Sequence, residues 1–275
     1  MKFKNKTVFI TGASRGIGKA IGLRLAREGA QVVVAAKSVE EHPRLGGTIF
    51  TAAAEMDAAG GKGLPIQLDI RFDDQIKAAV EKTVSVFGGI DILVNNASAI
   101  ALTATEQTDP KKFDLMHDIN VRGTFLMTQA CIPYLRKGTN PHILTLSPPL
   151  NLNPQWIAPH IAYTLSKFNM SMMTLGWAEE LKKDGIAANA LWPRTTIDTA
   201  AVRNLLGGEA LAKMSRTPEI LADAAAIIFG KEAASCTGNL FLDEAVFAGE
   251  GITDLTKYSV VPGAKLFTDL FVDPS

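Results

Sequence analysis

Short apolar runs alternate with longer stretches of helical spacing along the chain, and this alternation predicts a repeated strand–helix pattern. Lys6 to Thr11 is a β-branched run typical of a buried strand. A glycine-rich stretch, Gly12 to Gly18, follows it, and apolar residues from Ile17 to Leu25 then recur on one helical face. Gln31 to Ala35 predicts a second strand, so the first part of the chain has the form of a βαβ unit.

The same alternation continues to residue 243 and predicts five further strands. They are Gly63–Ile70, Asp91–Val94, His142–Leu146, Gly185–Trp192 and Asn239–Asp243. Seven strands alternating with helices predict an α/β fold of the Rossmann-like, doubly wound type, with a seven-stranded parallel sheet and helices on both faces. No change of composition marks a second domain. We therefore expect residues 1–275 to form a single domain, with a core of about 1–243 and a tail of 244–275.

Composition narrows the classes of partner. The 275 residues are 47% hydrophobic, and 28 basic residues balance 28 acidic ones. A net charge of zero argues against nucleic acid or an anionic membrane as the main partner. Cys131 and Cys236 do not form a metal-ligand spacing, and no stretch is long enough to span a bilayer. We expect no bound metal, a small-molecule substrate, and a reducing compartment such as the cytoplasm.

The glycine-rich stretch is a candidate phosphate-binding loop. Gly12 permits a tight turn out of the first strand, whereas Gly16 and Gly18 let the backbone approach a phosphate closely. The N-terminus of the helix that follows attracts a pyrophosphate through its free N–H groups and its dipole. The alternative is a tight turn without a ligand. Strands on both sides favour a dinucleotide site.

The end of the second strand carries no carboxylate that would bind the ribose of NAD. Its sequence is Ala35-Ala36-Lys37-Ser38, and the first acidic residue is Glu40. Lys37 and Arg15 are placed to neutralise a 2′-phosphate, which favours NADP(H) over NAD(H). The alternative is a pair of solvated surface cations. Asp69 ends the third strand at the ligand-binding edge of the sheet, where it lines a cofactor cleft or caps the next helix.

Tyr163 and Lys167 are the candidate acid/base pair. They stand four residues apart in a helix-like segment and so share one face. An ammonium near a phenol lowers the phenol pKa and makes it a general acid/base at neutral pH. The alternative is an exposed tyrosine beside an exposed lysine. Asn120 interrupts a long helix at Pro110–Lys137, where asparagine either binds its own backbone or serves a site.

The loop that precedes Tyr163 is rich in proline and apolar residues. Residues 148–159 show neither helical nor strand periodicity and follow a strand, which makes them a candidate substrate wall or else a rigid surface loop. We predict an apolar substrate from the side chains in and beyond this loop: Leu150, Leu152, Trp156, Ile157, Leu205, Leu206 and Met214.

These motifs together resemble the short-chain dehydrogenase/reductase family over about the first 243 residues. Thr11 to Gly18 matches the cofactor loop, Asn95-Asn96-Ala97 matches the Asn-Asn-Ala-Gly motif with Ser98 replacing its glycine, and Tyr163-x-x-x-Lys167 matches the catalytic signature. A narrower subgroup that the chain resembles is linked loosely to lipid metabolism. Its longer members append a sterol-carrier domain, which we expect this chain to lack.

The resemblance implies a role for each matching residue. Tyr163 would exchange the proton, Lys167 would lower its pKa and bind the nicotinamide ribose, Ser147 would polarise the carbonyl, and Asn120 would kink its helix and hold a water. Asp69 would contact the adenine. Arg194 replaces the usual glycine, where it would block or contact the cofactor. The cofactor-binding set is Gly12, Ser14, Arg15, Gly16, Ile17, Gly18, Lys37, Asp69, Asn96, Lys167, Pro193, Ile197 and Thr199.

We therefore expect an NADP(H)-dependent oxidoreductase that transfers hydride between the nicotinamide and an alcohol/carbonyl substrate, hydrophobic or lipid-like. One alternative is a non-catalytic NADP(H)-binding sensor or scaffold, for which Arg194 is the only indication. Another is an epimerase or dehydratase, whose usual loop spacing and longer substrate domain are not seen here. By resemblance, the long helices that carry Asn120 and Tyr163 would join copies of the chain into a homodimer or homotetramer.

Overall fold

A computed structural model describes residues 1–43 and 45–273, and within those ranges it contains one sheet of seven strands. All neighbouring strands run parallel, in the order β3-β2-β1-β4-β5-β6-β7. The strands are β1 (Thr7–Thr11), β2 (Gln31–Ala36), β3 (Lys62–Gln67), β4 (Ile92–Asn95), β5 (His142–Thr145), β6 (Ala187–Trp192) and β7 (Leu240–Leu242). The predicted α/β fold class is thus confirmed.

The central strands are apolar along their whole length because both faces of the sheet are covered. All five residues of β1 are buried. Their side chains alternate between two cores: Val8 and Ile10 enter one, and Phe9 enters the other. Phe9 pairs in register with Val33 on β2 and Leu93 on β4, which lie on the same face. This pairing fixes which helices can cover each side.

The helices divide between the two faces. On one side α1, α2, α9 and α10 pack against the sheet, and α3, α5 and α7 pack on the other. The helices are α1 (Gly16–Ala26), α2 (Ile49–Ala58), α3 (Asp73–Phe87), α4 (Pro110–Met116), α5 (Thr124–Leu135), α6 (Pro154–Ile157), α7 (Ile161–Glu180), α8 (Gly208–Lys213), α9 (Glu219–Phe229) and α10 (Asp243–Gly249). The architecture is therefore doubly wound.

Two helical stretches depart from α geometry near the carboxyl edge of the sheet. A π-helical segment, His117–Gly123, joins α4 to α5, so the predicted long helix is continuous but locally widened. Such widened turns occur frequently at functional sites. A second π-helical segment lies at Val202–Leu206.

Some element boundaries differ from the sequence-based expectation. β3 ends at Gln67 rather than at Ile70, because the chain turns there and the amide of Phe72 donates to the carbonyl oxygen of Asp69. Residues 148–159 are not wholly irregular: they contain α6, which Asn153 caps through its side chain. Proline at the first position of that helix costs no hydrogen bond, so a proline-rich stretch can form it.

The strand order reverses between β1 and β4, and this reversal positions the site. β1 connects outward to β2 on one side, whereas β4 continues the sheet on the other side. The two crossovers leave in opposite directions, and a crevice opens above the carboxyl ends of these strands. None of the helices in the described ranges is both long and apolar enough to cross a membrane.

Candidate active site

The turn after β1 is shaped by glycines and locked by an asparagine. Gly12 and Gly16 adopt positive φ angles of 68° and 57°. The Nδ2 amide of Asn96 donates to the carbonyl oxygens of Thr11 and Gly12, at 2.8 and 3.1 Å. A Cβ added at Gly18 would lie only 2.5 Å from that amide nitrogen. The loop therefore has room for backbone alone, as a close approach to phosphate demands.

The crevice beside this turn is an open cleft of about 490 Å³, here called the outer cleft. Gly18 does not line the outer cleft; it lies just behind the cleft wall and helps to set the shape of the turn. Nine residues of the predicted cofactor-binding set line the outer cleft: Gly12, Ser14, Arg15, Gly16, Ile17, Lys37, Asp69, Asn96 and Thr199.

Two cations stand at the β2 end of the outer cleft. Arg15 donates from Nη2 to Ser38 Oγ at 2.7 Å and to the Gly47 carbonyl oxygen at 3.1 Å, while its buried Nε has no partner among the described residues. Partial burial lowers the Arg15 pKa, although a guanidinium stays charged. Lys37 is exposed, and its side chain forms no hydrogen bond within the described part. Arg71, and to a smaller extent the charge of Lys37, lower the pKa of Asp69.

Asp69 lies at the predicted edge of the outer cleft, but its carboxylate already has a partner. Arg71 Nε donates to it at 2.9 Å and Arg71 Nη2 at 2.6 Å, and this pairing is the main reason that the Asp69 pKa is lowered. Helix α3 begins after Phe72 without a side-chain cap, so Asp69 does not cap it. An ionised Asp69 is therefore present at the cleft wall at neutral pH.

Tyr163 and Lys167 lie deeper, against a narrower space of about 210 Å³, here called the inner cleft. It is continuous with the outer cleft, because both share Ile17, Asn96, Ser98, Ile100, Thr199 and Ala201 as walls. Pro193, Ile197 and Thr199, which belong to the predicted cofactor-binding set, also line the inner cleft. One groove thus runs from the glycine turn to the candidate acid/base pair.

Burial is the main influence on the pKa values of Tyr163 and Lys167. Tyr163 is 4% exposed and Lys167 is 2% exposed, so the alternative of an exposed pair is wrong. Burial lowers the Lys167 pKa to about 7, although its Nζ donates to the Leu146 carbonyl oxygen at 2.6 Å. Burial, and then the charge of Asp269, raise the Tyr163 pKa above its usual range. Desolvation therefore works against the lowering of that pKa expected from Lys167.

Asn120 occupies the π-helical segment and connects two walls of the site. Its Nδ2 donates to the Ala99 carbonyl oxygen and to Ser166 Oγ, both at 2.9 Å, and its Oδ1 accepts from the Ala99 amide at 2.8 Å. Of the two roles left open for a mid-helix asparagine, binding its own helix backbone is therefore wrong. The side chain fixes the loop after β4 to α7, the helix that carries Tyr163.

Ser147 and Arg194 do not lie as the family resemblance implies. Ser147 is 1% exposed, lines neither cleft, and its Oγ finds no hydrogen-bond partner among the described residues. The Arg194 side chain turns to Glu244, with Nε 3.2 Å from Oε2, and it too lines neither cleft. The expectation that Arg194 blocks or contacts the cofactor is therefore not supported by its position.

Comparison with known proteins identifies the family of the chain. Residues 6–209 match the family described as short chain dehydrogenase. The chain is 58% identical over its whole length to hydroxysteroid dehydrogenase-like protein 2 of Xenopus tropicalis, and it spans 65% of that relative. The chain belongs to the short-chain dehydrogenase/reductase family. It thus carries an oxidoreductase domain of the class that acts on CH–OH groups with NAD(P).

Two solved structures of bacterial dehydrogenases are similar over nearly the whole chain. A protein from Xanthomonas campestris, described as a dehydrogenase, shares 54% identity with a TM-score of 0.96 and covers 100% of both chains. A short chain dehydrogenase from Mycobacterium thermoresistibile shares 54% identity with a TM-score of 0.93, covering 98% of this chain and 96% of its own. The fold of this short-chain dehydrogenase/reductase thus extends through the tail as well as the core.

The C-terminal segment, residues 267–273, supplies the part of this short-chain dehydrogenase/reductase site that sequence analysis missed. Thr268 pairs with Thr195 as an isolated β-bridge, and the Asp269 amide donates to the Arg194 carbonyl oxygen at 2.9 Å. Asp269 and Leu270 line the inner cleft, and Phe271 packs against Tyr163 with ring centroids 6.2 Å apart. No motif marks these residues; only the apolar pattern around them indicates burial.

The inner cleft is also lined by a different segment from the loop that was expected to form the substrate wall. No residue of 148–159 lines the inner cleft, because the C-terminal segment stands in that place. Leu150, Trp156 and Ile157 instead pack with Phe271 in a small core, and Leu152 is exposed. Of the apolar residues beyond the loop, Leu206 lines the cleft and Met214 does not, whereas the Leu205 side chain lies outside the described part of the structure.

Proposed function

We propose that this chain is an NADP(H)-dependent oxidoreductase that interconverts an uncharged, apolar carbonyl compound and its alcohol. The observation that carries the proposal is the single groove that joins the glycine turn to Tyr163 and Lys167. A dinucleotide site and an acid/base pair that share their walls suit hydride chemistry, because the proton and the hydride must arrive at neighbouring atoms.

The residues present fit a bound dinucleotide phosphate. The turn at Gly12 and Gly16 and the start of α1 would hold the pyrophosphate, and Arg15 with Lys37 would neutralise a 2′-phosphate. The unpartnered Nε of Arg15 supports this assignment, since a buried donor is costly unless a ligand satisfies it. Asp69 would stand at the adenine end, and Lys167 at the nicotinamide ribose. When bound, NADPH supplies a hydride.

The protein's own groups would manage the proton and the developing charge. A raised pKa keeps Tyr163 as a neutral phenol at physiological pH, which is the state that donates a proton to a substrate oxygen. Lys167, with a pKa of about 7, is partly charged there and would stabilise the phenolate that the transfer leaves. The buried, unpartnered hydroxyl of Ser147 would donate to the same oxygen once a substrate separates the surrounding side chains.

The inner cleft supports an apolar substrate. Apart from Tyr163, Lys167 and Asp269, its walls are mostly apolar side chains, including Ile100, Leu146, Trp192, Val202, Leu206 and Leu270. Pockets lined in this way bury hydrophobic ligands and orient them through a few polar groups. Measurement of NADPH and NADH oxidation against a panel of carbonyl compounds tests the proposal. Faster turnover of small sugars than of hydrophobic ketones would overturn the assignment of substrate class.

Replacing Lys37 by alanine should raise the KM for NADPH about tenfold and leave the KM for NADH nearly unchanged, since one charge-assisted contact to the 2′-phosphate is lost. The variant should fold normally because Lys37 is exposed. Lys19→Ala is the matched control: Lys19 pairs with Glu55 at 2.6 Å and does not line the outer cleft. Equal effects on the two cofactors, or equal effects of the two substitutions, would contradict a role in NADP(H) selection.

We also propose that copies of the chain associate through α5 and α7. These helices expose large apolar side chains, which a monomer seldom leaves together at its surface. They are Phe125 on α5 and Ile161, Leu165, Met172 and Leu175 on α7. A homodimer or homotetramer would bury them.

Met172→Asp should therefore shift the chain to a smaller species in sedimentation or light scattering, because it places a charge in the proposed interface. Val86→Asp on α3, which also replaces an exposed apolar residue, is the control and should leave the mass unchanged. A wild-type chain that is monomeric at micromolar concentration would rule the interface out.

A further inference from the structure

A carboxyl group from the C-terminal segment faces the candidate acid/base pair. Asp269 lines the inner cleft together with Tyr163 and Lys167. Its backbone is fixed on both sides, since its amide donates to the Arg194 carbonyl oxygen and Trp192 Nε1 donates to the Leu270 carbonyl oxygen at 3.0 Å. The position of this carboxyl group is therefore determined by the fold.

One oxygen of that carboxyl group is available to the cleft. Asp269 Oδ1 accepts from the Leu270 amide at 2.7 Å, whereas Oδ2 has no hydrogen-bond partner within residues 1–43 and 45–273. Asp269 is half-buried and lines a confined space, so bulk water does not solvate it fully. This desolvation raises the Asp269 pKa to about 7.

The other residues that line the inner cleft would give an anionic ligand little electrostatic stabilisation. Lys167 and Asp269 are the two ionisable groups of formal charge among the described residues that line the inner cleft. Lys167 already donates to the Leu146 carbonyl oxygen. A substrate carboxylate near the reacting carbon would thus face a like charge in apolar surroundings, with no second cation to offset it. Juxtaposed like charges are a common means of rejecting a wrong ligand.

We propose that Asp269 is a specificity-determining residue that restricts this site to uncharged carbonyl and alcohol substrates and rejects keto and hydroxy acids. The inference rests on the proposed function, because it concerns the substrate of the same site. The free Oδ2 also accepts a hydrogen bond from an uncharged donor on the substrate, such as a hydroxyl group. An apolar molecule with a neutral polar end fits both the walls and this oxygen.

The rejection of anionic substrates by Asp269 should become stronger as the pH rises. The groups facing Asp269 are Lys167 and Tyr163 from α7 and Asp243 from the start of α10, while the Arg194 guanidinium is turned to Glu244. Because Asp269 and Lys167 interact, they titrate together, and the pair loses protons as the pH rises through about 7. Raising the pH therefore makes the inner cleft more negative and strengthens the rejection of anions.

The test compares an α-keto acid with its methyl ester, using NADPH as the reductant. In the wild-type protein, the ratio of kcat/KM for the ester to that for the acid should rise at least about tenfold between pH 6 and pH 8. In Asp269→Asn the ratio at pH 8 should fall at least about tenfold, chiefly through faster turnover of the acid. Intrinsic reactivity of the two compounds cancels when wild type and variant are compared.

The control measurements distinguish an effect of the Asp269 charge from an effect of the shape of its side chain. Asparagine retains the oxygen that accepts from the Leu270 amide, so thermal unfolding should stay close to wild type. Asp269→Glu keeps the charge and should keep the selectivity. An ester-to-acid ratio that is unchanged in Asp269→Asn, or independent of pH in the wild type, would overturn this assignment and leave the proposed oxidoreductase intact. Absence of turnover with every carbonyl compound would overturn both.

Discussion

Replacing Tyr163 by phenylalanine should reduce NADPH-dependent carbonyl reduction by about 10²–10⁴-fold, the contribution typical of a positioned general acid. The substitution removes one hydroxyl and keeps the ring that packs against Phe271 and His160. NADPH binding, measured by fluorescence or calorimetry, should persist because the glycine turn and the outer cleft are unchanged. Loss of turnover with retained binding would support an enzyme over a non-catalytic sensor or scaffold.

Tyr258→Phe is the matched control for this experiment. Tyr258 is also a buried tyrosine, and its hydroxyl donates to Asp223 Oδ2 at 2.6 Å, but it lines neither cleft. That variant should lose about 1 kcal/mol of stability and no activity. If Tyr163→Phe turned over carbonyl compounds at the wild-type rate, the acid/base assignment would be wrong. If both variants lost activity equally, the effect would be structural.

Phe271→Ala should lower the free energy of unfolding by about 3–5 kcal/mol, the range for deleting a fully buried phenylalanine ring. Phe271 is 0% exposed and contacts four rings, with centroids 5.3–6.2 Å away: those of His160, Tyr163, Phe168 and Trp192. The ring therefore anchors the C-terminal segment over the inner cleft. Chemical denaturation with a fluorescence or circular dichroism signal measures the change.

Phe267→Ala provides the comparison within the same segment. Phe267 is 51% exposed, so its removal should change the free energy of unfolding by no more than about 0.5 kcal/mol. Phe271 also has a positive φ of 69°, an uncommon conformation for a residue with a side chain. The packing of its ring offsets that strain. Equal losses for the two variants would show that the segment does not depend on this ring.

The fold and the outer cleft could be predicted because they rest on local signals. A β-branched run, a glycine turn and a helical period follow one another from Lys6 to Leu25, and nothing distant is needed to interpret them. The parallel order then follows from repetition of that unit. The predicted residues of the turn consequently line the cleft, apart from Gly18, which lies just behind it.

The inner cleft was less predictable because its properties depend on distant parts of the chain. The spacing of Tyr163 and Lys167 predicts that they share a helical face, but it does not reveal how deeply that face is covered. The cover comes from Asp269 and Phe271, about one hundred residues later and without a motif. Burial reversed the expected shift of the Tyr163 pKa, and the same cover displaced the loop 148–159 from the substrate wall.

The side chain of Asn120 connects two walls of the site, so its replacement would affect both. A single amide group fastens Ala99, on the rim of the crevice, and Ser166, on the helix one turn beyond Tyr163. Removing it would release both fastenings at once and leave backbone groups of Ala99 without partners. Slower catalysis in such a variant would therefore indicate that the two walls of the site are less rigidly connected. It would not show that Asn120 takes part in proton transfer.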